Sequence, residues 1–465
     1  MHNNRSSAGE APDSQARGGP FVARATWLQR EGFAVGDQAL FYGANFAINI
    51  LLARWLTTSA YGAFAVSLSV FYLAGGLHTA VLTEPMMVFG ARKYNHEYRH
   101  YLGLLLRFHW PLALMTAAAM AAAGVVVNLA GSREMAAALW GVAVASPFIL
   151  FAWFIRPASY VCHEAQWAAL GSGVYAGVAL TGLWLLRAMG LLSAASAFVA
   201  MGFASTVGAL ITTAMLRPRW KASEAKAVTV RGVLDDHRGY GSWNAIATVT
   251  QWSSGQILFV LTPIFLDLKA AAAIGVATTL MRPLFPMIRS ITLLMLPRVS
   301  VEIAKRGDRH ELRNYVRNWF YTCVGGALFY TIAISALYEP ISRHLLGNKY
   351  HGYVAVVFLF GLAYTASAAI QVLCVVIRAA EATRLIAVIW ALPGVVTLVL
   401  AFPALLERSL LGVAGVFTLS YMVALAIAAR TSSSLMSDFA NDQCSVEERG
   451  LSGEPSDSGR LASRP

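Results

Sequence analysis

Two arginines, Arg282 and Arg289, stand seven residues apart inside a long apolar stretch, where charged residues are rare. That spacing puts both side chains on one face of a helix, and Pro283 and Pro286 between them predict a kink. A guanidinium pairs bidentately with phosphate oxygens and keeps its charge. The two arginines therefore predict a diphosphate site. The alternative, stronger for Arg289, is that the side chain only extends to headgroups at a membrane surface.

Asp37 is an isolated carboxylate about one turn inside another apolar stretch. A lone carboxylate in such a place can bind a coupling proton or a cation such as Na⁺, or pair with a basic group such as Arg238 from the opposite half of the chain. We assign it an ion-coupling or gating role. The alternative is an aspartate at the level of the headgroups or at a helix start.

Further polar side chains within apolar stretches are candidates for substrate contact. Amides can donate to and accept from sugar hydroxyls, but they also hold helices together. The candidates are Arg107, Gln38, Asn45 and Gln251. His78 is expected to be a packing residue, with a proton relay as the alternative, and Glu84 is expected to pair with Arg92 or Lys93.

The composition excludes a water-soluble enzyme. Of 465 residues, 57% are hydrophobic and only 13% are charged, about half the charged share of a soluble domain. The net charge of +12 on so apolar a chain indicates anionic lipids as partners and not nucleic acid. The four cysteines are scattered, which predicts neither a disulfide scaffold nor a metal site, and no cofactor is expected. No GxxxxGK[ST] sequence occurs, which excludes an ATP-driven pump within this chain.

Twelve apolar stretches are long enough to cross a membrane, which takes about 20 helical residues. They predict an all-α integral membrane protein with about 12 transmembrane helices in two six-helix lobes around a central cavity. A weak internal repeat, which places Gln38 on Gln251, supports the two lobes. The expected division is a tail over 1–32, an N-lobe over 33–216, a basic linker over 217–239, a C-lobe over 240–430 and a disordered tail over 431–465.

Lysine and arginine are concentrated in both tails and in every second connection. By the positive-inside rule, this bias puts both termini, and the linker 217–239, in the cytoplasm. The same reasoning places Ser132 on the opposite side. No short apolar core with a cleavage site precedes the first stretch, so we interpret the N-terminal tail as retained.

The opening of the first lobe carries a recognisable series of residues. These are Gly36-Asp37-Gln38, Asn45-Phe46, Leu51 to Leu56, Tyr61-Gly62 and the run Thr83 to Gly90. The series resembles bacterial polysaccharide-export and O-antigen flippases of the multidrug/oligosaccharidyl-lipid/polysaccharide (MOP) exporter superfamily. The resemblance implies alternating access by two lobes and a polyprenyl-diphosphate-linked glycan as substrate. It also implies a coupling proton or Na⁺, or transport down the substrate's own gradient, in a bacterial inner membrane.

The first hypothesis is therefore a flippase for lipid-linked oligosaccharide or polysaccharide precursors, not an enzyme, acting as a monomer within an export system. A multidrug or cation antiporter of the same fold is the second, although cationic substrates favour acidic cavities. A membrane glycosyltransferase or ligase is the third. Such enzymes need a large external loop or an acidic pair at a membrane face, and the adjacent acidic pair Asp235-Asp236 lies in the linker.

Overall fold

The computed structural model describes residues 20–216, 228–304, 309–380 and 382–452. Within these ranges the chain forms fifteen α-helices and no strand. The helices are α1 (Pro20–Trp55), α2 (Thr58–His78), α3 (Glu84–Arg92), α4 (Tyr98–Leu129), α5 (Arg133–Val161), α6 (Ala165–Ala188), α7 (Ala194–Leu216), α8 (Val230–Phe265), α9 (Leu268–Met281), α10 (Leu284–Ala304), α11 (Arg309–Ala336), α12 (Tyr338–His344), α13 (Val354–Ala379), α14 (Thr383–Leu406) and α15 (Leu410–Ser452). A π-helical turn, Thr79–Thr83, joins α2 to α3.

Local sequence signals set several helix starts. Thr57, Thr229 and Asp267 are N-caps of α2, α8 and α9, and each side chain accepts a hydrogen bond from a backbone N–H in the first turn of its helix. These bonds satisfy donors that have no partner inside the helix. The helix breaks between α9 and α10 at Arg282 and Pro283, as the proline predicts.

The protein is a multi-pass membrane protein. Ten helical segments of the described chain are long and apolar enough to cross a membrane, and they lie at ten of the twelve predicted positions or overlap them. The other two positions are covered by α1 and α8, each 36 residues long. Both helices contain polar side chains, such as Asn45 in α1 and Gln251 in α8, which lower their mean hydropathy. The count of twelve crossings stays a prediction.

Helix packing separates the chain into two groups. In the first, α5 packs against α4 and α7, and α6 packs against α1 and α7. In the second, α13 is the central helix and packs against α9, α10, α11 and α15, while α14 packs against α8 and α15. The groups meet where α2 lies against α8 and α9. This is the expected two-lobe architecture.

Three expected boundaries need correction. The linker was expected to reach residue 239, but α8 begins at Val230, because Thr229 caps it and no proline interrupts the helix before Pro263; residues 217–227 lie outside the described ranges. The tail after 430 was expected to be disordered, but α15 continues to Ser452. No proline occurs in 431–452 and glycine first appears at 450, so nothing in that segment stops the helix; residues 453–465 are not described.

At the other end of the chain, the N-terminal tail was expected to extend to residue 32, but α1 already begins at Pro20, a residue suited to the first turn of a helix.

Hydrogen bonds join α2 to α8. Trp252 Nε1 donates to the Ser69 carbonyl over 2.7 Å, and the Ser69 hydroxyl donates to the Gln256 carbonyl over 3.1 Å. Further along, α2 approaches α9 so closely that a Cβ on Gly62 would overlap the Leu268 carbonyl. Only glycine permits that approach. We call this interface the α2–α8 seam.

Candidate functional site

Arg282 lies at the break between α9 and α10, between the two lobes. Its backbone N–H bonds to the carbonyls of Thr278 and Thr279 at the end of α9. Its guanidinium reaches across to α2, where Nη1 donates to the Tyr72 hydroxyl over 3.3 Å and Cζ lies 5.5 Å from the centre of the Tyr72 ring. A helix break puts the charged side chain between the lobes instead of along a continuous helix.

Aromatic rings from both lobes surround this guanidinium. Tyr72 stacks on Trp153 of α5, with ring centres 6.3 Å apart and planes at 17°. From the other lobe, Tyr364 packs edge-to-face on Phe285 with centres 5.3 Å apart, and its hydroxyl lies within electrostatic reach of Arg282. Among the described residues no carboxylate contacts Arg282. A guanidinium with unused donors and no counter-charge is suited to bind an anion.

Arg289 does not extend this site. It lies on α10, beyond the break, and is exposed. The prediction that both arginines share one helix face assumed an unbroken helix, and the Arg282-Pro283 turn removes that assumption. Arg289 acts electrostatically on Glu84 of α3 instead. The structure therefore brings one of the two arginines, not both, into the aromatic site.

Asp37 is fully buried and held by three side chains of its own lobe. Arg156 Nε of α5 donates to its two carboxylate oxygens over 3.0 and 2.8 Å, and the hydroxyls of Tyr160 and Ser172 donate to them as well. Arg156 also lies over the Phe41 ring, 4.2 Å from its centre. The expected partner from the opposite lobe, Arg238, is exposed. Asp37 does not meet Arg238 because it lies on the face of α1 that packs against α6, away from α8.

The Asp37–Arg156 pair adjoins a small, partly open cavity of the N-lobe, with a volume of about 30 Å³. Its walls include Phe41, Trp153, Arg156, Ser172 and Tyr175. Trp153 belongs both to this cavity and to the aromatic group around Arg282. The N-lobe cavity and the interlobe site are therefore neighbours that share one indole ring.

The remaining predicted substrate contacts are scattered. Gln38 Nε2 approaches the Tyr160 hydroxyl at 3.5 Å, and Asn45 Oδ1 accepts from the Tyr175 hydroxyl over 3.2 Å, so both amides face the inside of the N-lobe. Arg107 is exposed on α4, and Gln251 is exposed on α8. The structure groups Gln38 and Asn45 with Asp37, and it brings none of the four amide and arginine candidates to Arg282.

Solved structures share this fold over nearly the whole chain. An inward-facing multidrug resistance MATE family transporter of the MOP superfamily matches with a TM-score of 0.64 at 13% identity, over 87% of this chain and 96% of that one. The lipid II flippase MurJ in an inward closed conformation matches with a TM-score of 0.65 at 11% identity, over 91% and 94%. A MOP superfamily transporter from Pyrococcus furiosus, reported to have a binding pocket of reverse polarity, matches with 0.56 at 15%, over 91% and 97%.

The chain has the fold of the MOP-superfamily transporters. No family model and no curated protein matches the sequence. The resemblance drawn from residues 33–95 is confirmed at the level of this fold, and its polysaccharide branch stays a prediction.

In this MOP fold, one end of the lobes is held together by a lysine. We call it the α1–α2 end; it comprises Arg54–Thr57, Leu266–Leu268 and residues 345–353. Lys349 Nζ, from the connection between α12 and α13, donates to the carbonyls of Arg54 and Leu56 over 2.8 and 2.7 Å. Those carbonyls end α1 and have no partner inside the helix, so the lysine charge also complements the helix dipole. Burial, with the nearby charge of Arg187, lowers the pKa of Lys349.

At the other end, α8 meets the N-lobe through an ion pair that the sequence reasoning missed. We call it the α3–α4 end; it comprises 93–98 and 230–240. Lys93 Nζ donates to both Asp236 oxygens over 2.9 and 2.6 Å, and the Tyr94 hydroxyl donates over 2.6 Å. Burial raises the pKa of Asp236, but the hydrogen bonds from Lys93 and Tyr94 outweigh burial, so the net effect is a lowered pKa. The hydrogen bond to Asp236 in turn raises the pKa of Lys93. Glu84, expected to pair with Arg92 or Lys93, accepts instead from Asn244 of α8 over 2.7 Å.

His237, next to Asp236, fills a gap in the backbone hydrogen bonding of the π-helical turn. Pro85 has no N–H, so it cannot donate to the Val81 carbonyl four residues earlier. His237 Nδ1 donates to that carbonyl over 2.9 Å, and Nε2 accepts from the Tyr101 hydroxyl over 2.7 Å. Burial lowers the pKa of His237, against the Val81 bond and the Asp236 charge. The proline was visible in the sequence; the residue that compensates for it, about 150 positions away, was not.

Proposed function

We propose that the protein is a flippase that carries a lipid-diphosphate-linked glycan across the bacterial inner membrane by alternating access of its two lobes. The observation that supports this most is Arg282, a guanidinium without a described counter-charge between the lobes, beside Tyr72 and Trp153. A diphosphate supplies the missing negative charge, and aromatic faces suit the apolar faces of sugar rings. The match to a lipid II flippase, a protein named for a lipid substrate, agrees with the proposal.

The proposed orientation follows the positive-inside bias, with both termini and the α3–α4 end in the cytoplasm. In that orientation the Lys349 contacts close the extracytoplasmic end of the lobes. The headgroup then enters from the cytoplasmic side, binds Arg282, and leaves after the lobes reverse their contacts. The lipid tail stays in the bilayer throughout.

Asp37 is proposed to act on the conformational cycle and not on the substrate, because it is fully buried and already paired with Arg156. Its partner Arg156 lies in the same lobe, so what changes between states is the packing of α1 on α5 and α6 around this pair. Asp37→Asn keeps the shape and removes the charge. We expect slower flipping with glycan-lipid binding retained, measured side by side on the purified variant; equal loss of both would assign Asp37 a structural or substrate-contacting role.

A multidrug or cation antiporter is the second candidate, favoured by the aromatic N-lobe cavity with Phe41, Trp153 and Tyr175 in its walls. A cationic substrate is disfavoured in that cavity, because Arg156 already compensates the neighbouring charge of Asp37. A glycosyltransferase is less well supported, because Asp236 of the acidic pair is bound to Lys93 and Tyr94.

One vesicle experiment tests the proposal. The purified chain is reconstituted, and the inward and outward fractions of a fluorescent polyprenyl-diphosphate-linked oligosaccharide are measured with a membrane-impermeant quencher. We expect flipping by the wild type, partial activity for Arg282→Lys, which loses the planar fork, and at least about a tenfold loss for Arg282→Ala.

Arg133→Ala is the matched control, since Arg133 is exposed at the start of α5 and lies apart from the site. A cationic dye is assayed in the same vesicles. Wild-type flipping by well-folded Arg282→Ala would refute the assignment of the site. Dye transport without glycan-lipid transport would favour the antiporter.

A further inference from the structure

Two buried histidines from neighbouring helices form a pair inside the N-lobe. His78 ends α2 and His109 lies in α4, with 4% and 0% of their surfaces exposed. His78 Nε2 and His109 Nδ1 are 2.9 Å apart, and the rings stand at 88°. The two outward nitrogens, His78 Nδ1 and His109 Nε2, have no hydrogen-bond partner in the described part of the chain. Unpartnered buried polar atoms are costly, so their presence calls for a reason.

Counting protons shows what the pair can bind. With both rings neutral, one N–H lies between the facing nitrogens, and one of the outward nitrogens is a bare acceptor. One further proton can bind that acceptor and leave the central hydrogen bond intact. A second would put two N–H groups against each other and break the pair. The geometry is therefore that of a site for one proton.

The surroundings of the pair are apolar. The His109 ring lies between Trp110, Phe151 and Phe154, with ring centres 5.1 to 5.8 Å away. An added charge in this shell, with no counter-ion, carries a large desolvation cost. We therefore take the pair to be neutral in the state described here.

Charged and titratable groups on the helices packed around the pair are engaged elsewhere or exposed. Arg107 of α4 is exposed, and Glu84 of α3 binds Asn244. Arg156 of α5 binds Asp37. On α8, Asp236 binds Lys93, and His237 binds Val81 and Tyr101. Protonation of the pair thus requires a different state of the N-lobe, one that admits water or separates α2 from α4.

The π-helical turn gives the lobes a way to produce that state. It starts directly after His78, and the His237 bond to Val81 ties it to α8 of the other lobe. Withdrawal of α8 removes that bond and opens the segment beside His78 to water, so that a proton can reach an outward nitrogen while the two facing nitrogens stay bonded.

We propose that the His78–His109 pair is the proton-binding site of the transport cycle, empty in the state closed at the α1–α2 end and occupied in the opposite state. The inference rests on the proposed alternating-access function and specifies its coupling ion. A site that binds a proton in only one state shifts the balance between the states with pH.

The test follows the α1–α2 end directly and needs no glycan. Spin labels are placed at Thr57 and Asn348, which are exposed on the two lobes at this end, in a cysteine-free version of the full chain in liposomes. Pulsed electron spin resonance gives the distance distribution from about pH 8 to about pH 5.5, across the range in which histidines titrate. We expect the long-distance population to grow on acidification, by up to about tenfold per pH unit, the limit for one proton.

The matched variant is His78→Gln with His109→Asn, because glutamine nitrogen mimics Nε2, asparagine mimics Nδ1, and neither titrates. We expect its pH response to fall below about twofold across the range. His100→Asn is the control, an exposed histidine on the same helix. A pH response that persists in the double variant, or that is lost in His237→Asn alone, would overturn the assignment.

A measurement on the wild type covers the case in which the double variant does not fold. Nitrogen-15 NMR of histidine-labelled protein, assigned with single His→Asn variants, should show two rings coupled through one N–H at high pH and a single added proton on acidification. Two rings that titrate independently, or remain neutral while the distance changes, would refute the proposal. Failure of glycan flipping with this response intact would reject the substrate and leave the proton site standing.

Discussion

Substitution of Arg156 offers a quantitative test of the Asp37 site. Arg156→Met keeps the apolar stem of the side chain but removes the guanidinium with its contact to the Phe41 ring, and it leaves Asp37 fully buried without its cation. Removal of one partner of a buried ion pair costs about 3–5 kcal/mol. Tyr160 and Ser172 still donate to the carboxylate, so we expect a loss at the low end, about 3 kcal/mol.

The double variant Asp37→Asn with Arg156→Met removes both charges and should recover most of that loss, to within about 1 kcal/mol of the wild type. Asp37→Asn alone should cost less than Arg156→Met, because the side chain of Arg156 is 19% exposed and can keep some hydration. The assay is reversible unfolding of the purified chain in mixed detergent micelles, followed by tryptophan fluorescence.

A double-mutant cycle gives the coupling between the two residues, expected to be about 2 kcal/mol or more. If the free energy of unfolding of Arg156→Met lies within about 0.5 kcal/mol of the wild-type value, the carboxylate is not held as a buried ion pair. A double variant as unstable as the single one would show that Arg156 acts through packing and not through charge.

Three further predictions concern topology, the packing of α2 on α9 and the Lys93–Asp236 pair. A reporter within 217–227 should give a cytoplasmic signal and one at Ser132 an external signal; the same side for both would refute the proposed orientation. Gly62→Ala should weaken the packing of α2 on α9 by about 1–3 kcal/mol, since the new methyl overlaps a backbone carbonyl; wild-type stability would contradict the close approach. Lys93→Met should cost about 0.5–1 kcal/mol at neutral pH, since the pair is partly exposed. This contribution should stay constant from about pH 5 to pH 9. It should disappear as the pH falls through the lowered pKa of Asp236, below its ordinary 3.8, and as the pH rises through the raised pKa of Lys93, above its ordinary 10.5; a loss already near pH 6 would point to His237 instead.

The elements and the break at Arg282-Pro283 could be predicted from the sequence because each depends on neighbours in the chain. Apolar runs of membrane length predict helices, and a proline predicts the interruption. The helix ends were harder: hydropathy reports where a helix leaves the bilayer and not where it ends, so the starts of α1 and α8 and the end of α15 were misplaced.

The site depends on pairings between distant helices, which a single sequence does not contain. Asp37 was recognised, but nothing in the sequence links it to its partner Arg156, 119 positions away. His78 was recognised as well, but not its pairing with His109. That they face each other follows from the rotation of α2 and α4 about their axes, and several rotations satisfy the same apolar pattern.

The Lys349 contact has a consequence for how the protein tolerates sequence change. Its acceptors are main-chain carbonyls, and every residue type supplies one. Substitution at positions 54 and 56 therefore leaves the acceptors in place, whereas substitution at 349 removes the donor. The lysine contact thus depends on a single codon of the C-lobe, and no change of side chain at its N-lobe acceptors can restore it; the bond from Arg54 Nη1 to the His344 carbonyl is a separate contact at the same end. We therefore expect no sequence covariation between the two lobes at this contact, although the contact joins the lobes.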